Sequence, residues 1–402
     1  MATILKDIIY NGNTGNYKFD GGISREVLEN YLSRAIMFEY LWESEQYDED
    51  IRCINNMGAK LISRAATDWG GPLNESDGTY WSKAKKMVTD LHESDPDIIV
   101  HVAILECMNR SADWPEVPAW VFEEFGQPIE KRKFSYDAML FPDGWRVDHW
   151  HKDSSVPDIT RIESQMWFYY RATQYIDAGF EGFHLGQMSL MGERDPSYKT
   201  WDDVIRRIRE YASKHARRHY ILIDASPVVA REYPGIDGRL LLDYIIYPQR
   251  PREDLNEPQK AYLEMGWADT MYGISPGGLH PSGWTCEHVP YLLDFDHWGA
   301  TGKEGQPCKE PWTTWGYDET DWYAHQSEEY RNEYLHYVTN WLKENDPNGH
   351  LVAPGRDVLA VYLYPGDRFY RVNTRSAASP HGSNQEETMK AIWEQDVAKD
   401  EA

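Results

Sequence analysis

Four carboxylates at or just beyond the ends of apolar runs, Glu106, Asp224, Asp318 and Glu319, have the types and positions for acid–base or nucleophilic chemistry. Asp224 closes "YILID", where Leu222, Asp224 and Ser226 share one face of a strand that alternation points inward. Glu106 ends "IIVHVAILE" and by the same alternation shares a face with Val102 and Ile104. Asp318 and Glu319 open "DETDW", where a carboxylate serves equally well as a helix cap. Cleavage of a glycosidic bond needs two such groups, one kept protonated by burial and one ionised. For each carboxylate the competing role is an ion pair with Arg or Lys.

The stretch "GFEGFHLGQ", residues 179–187, places His184 between two glycines. Alternation turns Phe183 and Leu185 outward and Gly182, His184 and Gly186 inward, so the glycines leave space beside an imidazole. That imidazole and Gln187 could donate to sugar hydroxyls, or His184 could bond a neighbouring acid such as Asp224 or Asp243. Asp68 and Trp69 end another apolar run, and Trp284, Trp315 and Trp322 stand in polar surroundings. The chain has 17 Trp and 27 Tyr, enough to fill a core and also to offer ring faces to the C–H faces of sugars. His184, Gln187, Trp69, Asp68, Trp284, Trp315 and Trp322 are the expected substrate-binding set. His149 and His151, with Asp148 and Asp153, have the residue types of a metal site. They lie in a Trp- and Gly-rich insertion, however, and not at the end of a first strand. The expectation there is a rim loop presenting Trp150, with no metal and no other cofactor.

Positioning these groups requires a repeating scaffold. "NNMGAKLIS", "DAGFEGFHL" and "EMGWADTMY" each end a helical stretch, place a glycine and begin an apolar run. Gly58, Gly179 and Gly266 fit the left-handed position that follows a helix. The helices agree: Thr160 with Glu163 forms a capping box, Thr200 and Asp203 begin a second helix, and Ser327 opens a third. The face Tyr330, Tyr334, Tyr337, Val338 and Trp341 of that third helix reads as core. Eight apolar runs, near 36–42, 59–66, 98–105, 180–187, 220–225, 240–247, 268–273 and 312–316, predict a (β/α)8 barrel. The barrel is expected over 1–348, with insertions near 107–158 and 275–311, and a C-terminal extension packed on it over 349–402. A doubly wound open sheet is the alternative. With no G-x-G-x-x-G after a strand and no Walker motif, nucleotide binding has no support.

Acidic residues outnumber basic ones by 66 to 41, a net charge of −25 that repels nucleic acid and anionic membrane surfaces. No run approaches the length of a membrane span, and "MATILKD" lacks the apolar core of a signal peptide. The expected location is cytoplasmic, or secreted or periplasmic had a leader been removed. The oligomeric state leaves no sequence signal.

Taken together, the acidic surface, the clustered tryptophans and the strand ends rich in Asp, Glu, His and Gln resemble a carbohydrate-active (β/α)8 barrel of glycoside-hydrolase type, over about residues 30–345. The resemblance implies hydrolysis of a polysaccharide or oligosaccharide by paired carboxylates. The largest glycosidase clan with this fold carries Asn-Glu at the end of strand four and Glu at the end of strand seven. This sequence has Gly186-Gln187 and Tyr272-Gly273 there, so that clan's catalytic residues do not transfer. Two other functions fit the same residues: a metal-dependent amidohydrolase-type hydrolase, or a carbohydrate-binding barrel without turnover.

Overall fold

The computed structural model describes residues 10–70, 79–226, 235–246, 250–254, 256–264, 276–297 and 318–398, with the side chains of Asp68 and Gly70 excepted. Its centre is a run of parallel strands, the first five and the last of them preceded by helices among the described residues. In chain order these are α1 (Arg25–Leu32), β1 (Ala35–Phe38), α2 (Tyr47–Met57), β2 (Leu61–Gly70), α3 (Tyr80–Ser94), β3 (Ile99–Asn109), α4 (Ala119–Glu124), α5 (Ile162–Ala178) and β4 (Gly182–His184). There follow α6 (Lys199–His215), β5 (Leu222–Ala225), β6 (Tyr244–Ile246), β7 (Tyr291–Leu293), α7 (Glu319–His325) and α8 (Glu328–Asn345). The last elements are β8 (Gly349–Leu351 and Ala353–Val358), β9 (Phe369–Arg371) and α9 (Glu386–Gln395).

The pairing of β8 makes this sheet a (β/α)8 barrel. Residues 349–351 run parallel to β7, and residues 353–358 run parallel to β1. One uninterrupted stretch of chain therefore joins the two ends of the sheet, with Val352 N–H donating to Leu293 O between them. The seventh and eighth strands are not where the sequence pattern put them. The runs 268–273 and 312–316 lie outside the described residues, and β7 and β8 begin at Tyr291 and Gly349. The barrel thus continues beyond residue 348, and the tail that follows β8 adds β9 and sets α9 against α2 and α8.

Glycine ends the helices as the steric argument requires. Gly58 (φ 76) and Gly179 (φ 98) take the left-handed position after α2 and α5, and each N–H returns to the last helical turn. Gly266 is outside the described residues. Ser327 caps α8 by accepting from Tyr330 N–H. The capping box at Thr160 does not form. The residue before α5 is Arg161, and Glu163 instead accepts two bonds from Arg132, at 2.7 and 2.8 Å, and one from Ser135 N–H.

The two faces of the strands feed two cores. Val100, Val102, Ile104, Phe183, Leu185, Ile223 and Ile245 pack outward under the helices. Ala35, Met37, Leu61, Ile99, Leu222, Tyr244, Ile246, Leu292 and Val352 fill the barrel interior. That interior is closed from below by α1, whose Val27, Leu28, Tyr31 and Leu32 join the same cluster. Burying each such leucine contributes about 1.5–3 kcal/mol. Tyr31 Oη donates to Asp97 O just before β3, which places α1 at the N-terminal end of the barrel. The opposite end, where the strands finish, is left for chemistry.

Candidate active site at the barrel mouth

On the β3–β5 side of the mouth, Asp224 is fully buried between two imidazoles. Its Oδ1 lies 2.7 Å from His101 Nε2 and its Oδ2 lies 2.6 Å from His184 Nδ1. His101 Nδ1 accepts from Arg64 N–H at 3.2 Å, so Nε2 is the nitrogen that carries the proton toward Asp224. Burial alone would raise the Asp224 carboxyl, but the two histidines hold it well below the usual carboxylate range. Burial also lowers His184. The arrangement is one carboxylate anion accepting from two neutral rings. Both oxygens are committed, so Asp224 positions His184 and is not itself a free nucleophile. The second nitrogen of His184 is left facing Ser226 Oγ at 3.5 Å.

Glu106 stands beside this group. Its Oε2 accepts from Gln187 N–H at 2.9 Å and its Oε1 from Gln187 Nε2 at 3.0 Å. Burial raises its pKa, against the pull of those hydrogen bonds and of Arg64. Strict alternation would have left Glu106 on the outer face with Val102 and Ile104, which pack under the helices. The ladder between β2 and β3 slips instead, pairing Asp68 with Ile104 but Gly70 with Met108. That irregularity turns the Glu106 carboxylate over toward β4. It also explains the two glycines around His184. A β-carbon at Gly182 would lie 2.7 Å from His101 Cδ2, and one at Gly186 would lie 2.0 Å from Glu106 Oε2. The empty space beside His184 is occupied by side chains of β3.

Arg64 joins this side of the mouth to the other. It sits in an irregular stretch of β2, with Ile62 opposite Val100 but Ala66 opposite Val102, and takes φ 51. A non-glycine residue in that conformation is strained by about 1–3 kcal/mol, a feature concentrated at functional sites. Its guanidinium reaches Asp294 Oδ2 at 3.3 Å and Glu39 Oε1 at 4.0 Å. Asp294 and Glu39 follow β7 and β1. Asp357, near the end of β8, is buried with them, and its Oδ2 has no hydrogen-bond partner. Burial and the like charges of Glu39 and Asp294 push the Asp357 carboxyl well up. His297 completes the group, 3.7 Å from Glu39 Oε2 and 3.6 Å from Asp318 Oδ2. Burial lowers it, but the Asp318 hydrogen bond and the Glu39 charge prevail and raise it to about 10.

The remaining sequence candidates divide. Asp318 accepts from Asp321 N–H as the cap of α7, and its other oxygen faces His297. Glu319 is fully buried and committed: Arg250 donates to its Oε1 through Nε at 2.9 Å and Nη2 at 2.8 Å, and Asp296 N–H donates to Oε2 at 3.1 Å. Burial raises it to about 8, with Arg250 pulling against. Its geometry is that of a strut under the rim. Trp69 is 37 % exposed and meets Trp150 with ring centres 5.1 Å apart, while Trp150 Nε1 donates to Glu106 O at 3.4 Å. Residues 154–155, just after Trp150, pair with the end of β3 and fix it there.

Two expectations fail. Trp284 lies at the closed end: its Nε1 donates to Ile23 O at 3.0 Å, and its ring stacks on His280 at 3.9 Å. Trp322 is fully buried between Phe295 and Tyr334 and donates to Gln259 O, a core residue that touches no surface. Trp315 and the Asp68 side chain lie outside the described residues. His149 turns to Arg146 and Trp150, and His151 Nδ1 to Lys152 O. Among the described residues no three His, Cys, Asp or Glu side chains gather as metal ligands would. Asp294, His297 and Asp357 were not candidates in the sequence. The usable signal was "YLLDFDHW", an apolar triplet followed by acids and a histidine, the same form as "YILIDASP".

No family model matches the sequence, and no curated protein matches it. The solved structures similar to it include a debranching enzyme from Nostoc punctiforme, at 13 % identity and TM-score 0.34 over 54 % of this chain and 52 % of that one. An alpha-galactosidase from Thermus thermophilus is similar at 13 % identity and TM-score 0.33, over 59 % and 48 %. A trehalose-6-phosphate hydrolase from Bacillus licheniformis is similar at 12 % identity and TM-score 0.31, over 54 % and 49 %. The chain spans about half the length of each. These neighbours are glycoside hydrolases, and no narrower family is indicated. The barrel itself rests on the strand pairing described above.

Proposed function

We propose that the mouth hydrolyses a glycosidic bond in an oligosaccharide or polysaccharide. The observation that carries this reading is the pair of exposed Trp69 and half-buried Trp150, the latter bonded to the backbone carbonyl of Glu106, a residue whose buried carboxyl is shifted toward its protonated form. Ring faces of this kind take the C–H faces of a sugar, and a protonated acid beside them serves the leaving oxygen. Glu106 is the proposed proton donor, its proton replenished through the mouth. The partner carboxylate is drawn from Glu39 and Asp294, which face the Arg64 guanidinium on the other side. His184, oriented by Asp224, and Gln187 position the substrate. A binding barrel without turnover is the second reading, favoured by how fully Asp224 and Glu319 are already bonded.

The test is release of reducing ends from neutral plant, algal and microbial glycans, with and without EDTA. Release that survives EDTA and is lost in Glu106→Gln is expected. Release lost with EDTA would point to a metal-dependent hydrolase, and binding without release to the second reading.

A further inference from the structure

On the outer wall of the barrel, away from the mouth, α4, α5 and α6 enclose a groove of about 540 Å³, within the range of about 300–1,000 Å³ usual for ligand sites. Its apolar surface is aromatic. Tyr169 of α5 forms the floor, Trp120 of α4 stands 37 % exposed on one side and Tyr211 of α6 on the other. Trp120 and Tyr169 meet at 6.0 Å and 67°, and Tyr169 and Tyr211 at 6.3 Å and 86°. The Tyr211 ring is fixed in place, stacked on His215 at 4.1 Å and bonded through its hydroxyl to both oxygens of Asp177, at 2.9 and 3.1 Å. Gln174, Asp177 and Glu123 supply polar atoms along the rim.

Among the described residues, no lysine or arginine lines the groove. Arg207, whose guanidinium pairs with the lining residue Glu124 at 2.6 Å, is also held by Asp203 at 2.7 Å. An anionic ligand would therefore find no counter-charge. Of the three lining carboxylates, Glu124 is paired with Arg207 and Asp177 accepts from the Tyr211 hydroxyl, which leaves Glu123 as the group a cationic peptide would use and the one that Glu123→Gln removes. What the groove offers is crossed ring faces with carboxylate and amide acceptors at their edges. Sugars match this, because their C–H faces pack on rings while their hydroxyls donate outward.

We infer that this groove is a second carbohydrate-binding site, one that holds a stretch of neutral glycan chain on the outer wall of the barrel. It needs no turnover at the mouth and stands or falls separately from it. The experiment is affinity electrophoresis of the full chain in gels containing soluble starch, dextran, galactomannan or mixed-linkage β-glucan. Trp69→Ala serves as the background, so that binding at the mouth is weakened. Retardation by at least one of these glycans is expected to persist in Trp69→Ala, to fall at least fivefold in affinity when Trp120→Ala is added, and to return in part with Trp120→Phe. An unchanged thermal midpoint for Trp120→Ala shows that the loss is not unfolding. The inference is overturned if none of the four glycans retards the protein, or if Trp120→Ala leaves the remaining retardation intact. It is likewise overturned if polylysine binds in place of glycan and Glu123→Gln abolishes that binding.

Discussion

Gly186 and Glu106 occupy one another's space: a β-carbon on Gly186 would fall 2.0 Å from Oε2 of Glu106, and Gly186 itself takes φ 55. The glycine is therefore required twice, by the backbone angle and by the carboxylate that lies across it. Gly186→Ala is expected to displace Glu106 from its bonds to Gln187 and to cost about 1–3 kcal/mol by overpacking. Glycan hydrolysis should fall with it by far more than the change in thermal midpoint explains. A variant with normal activity would show that Glu106 need not lie where it does.

Glu106→Gln keeps the shape and loses the proton. If Glu106 is the acid, kcat drops by on the order of 10²–10⁴-fold while KM changes little. The pH profile carries a second expectation. Because burial raises this carboxyl, its acidic form persists to higher pH than an exposed glutamate's, and activity declines as pH rises through that raised value. In Glu106→Gln the alkaline decline should vanish from the residual activity. A profile unchanged in shape would remove Glu106 from the proton-donor role.

Asp224→Asn tests positioning. The amide offers one acceptor where the carboxylate gave two, so one of the imidazoles loses its partner, at about 1–3 kcal/mol for a buried donor left unmade. The direction with pH follows from the shifts. Asp224 is depressed in the fold, so its stabilisation is complete above the unfolded value of about 3.9 and is lost as pH falls below it. His184 is lowered as well, so its preference for the neutral form is lost as pH falls below about 6.5. The gap in thermal midpoint between wild type and Asp224→Asn should be widest near pH 8 and close in acid. If only KM rises and stability is untouched, Asp224 contacts substrate directly.

The first five strands are legible because each obeys one local rule, an apolar run after a helix, and because Gly58 and Gly179 mark two of those boundaries; the sixth shows as an apolar run alone. β8 breaks that rule. It is written "GHLVAPGRDV", with Pro354 and Gly355 inside it, residues that ordinarily signal a loop. Tertiary contact explains the glycine: a β-carbon on Gly355 would lie 2.1 Å from Met37 O, so β1 and β8 close the barrel only without one. β7 is three residues long, too short to show alternation. Displacing these two strands hid Asp294, His297 and Asp357 and so half of the mouth. The irregular ladder that reorients Glu106, and the one that sets Arg64 at φ 51, are likewise outcomes of neighbouring strands that a period of two does not encode.

Trp69→Ala and Trp150→Ala separate binding from chemistry. Each removes one ring of a tilted pair proposed to face the sugar. A rise in KM is expected, with kcat nearly kept. A fall in kcat with KM unchanged would mean that the pair holds Glu106 in place and does not touch sugar.

Glu386 is one of the carboxylates that hold the tail beyond β8 in place. Glu386, at the start of α9, receives Arg52 Nη1 on Oε1 at 2.8 Å and Arg52 Nη2 on Oε2 at 2.9 Å, while Asn56 Nδ2 and Thr374 N–H donate at 2.7 and 2.9 Å. Burial would raise this carboxyl, yet the donors bring it down to about 2. A group depressed in the fold stabilises above its unfolded value, about 4.3 for glutamate, and that stabilisation disappears as pH falls toward the folded one. Arg52 is nearly half exposed, so solvent screens its share, and Glu386→Gln should cost about 1.5–3 kcal/mol toward the lower end of the range at pH 7. Thermal unfolding at pH 7, 4 and 2.5 should show wild type and Glu386→Gln converging in acid. Curves that stay equally far apart at every pH would mean that the loss comes from shape and hydrogen bonding, and that the charge of Glu386 does not hold the tail.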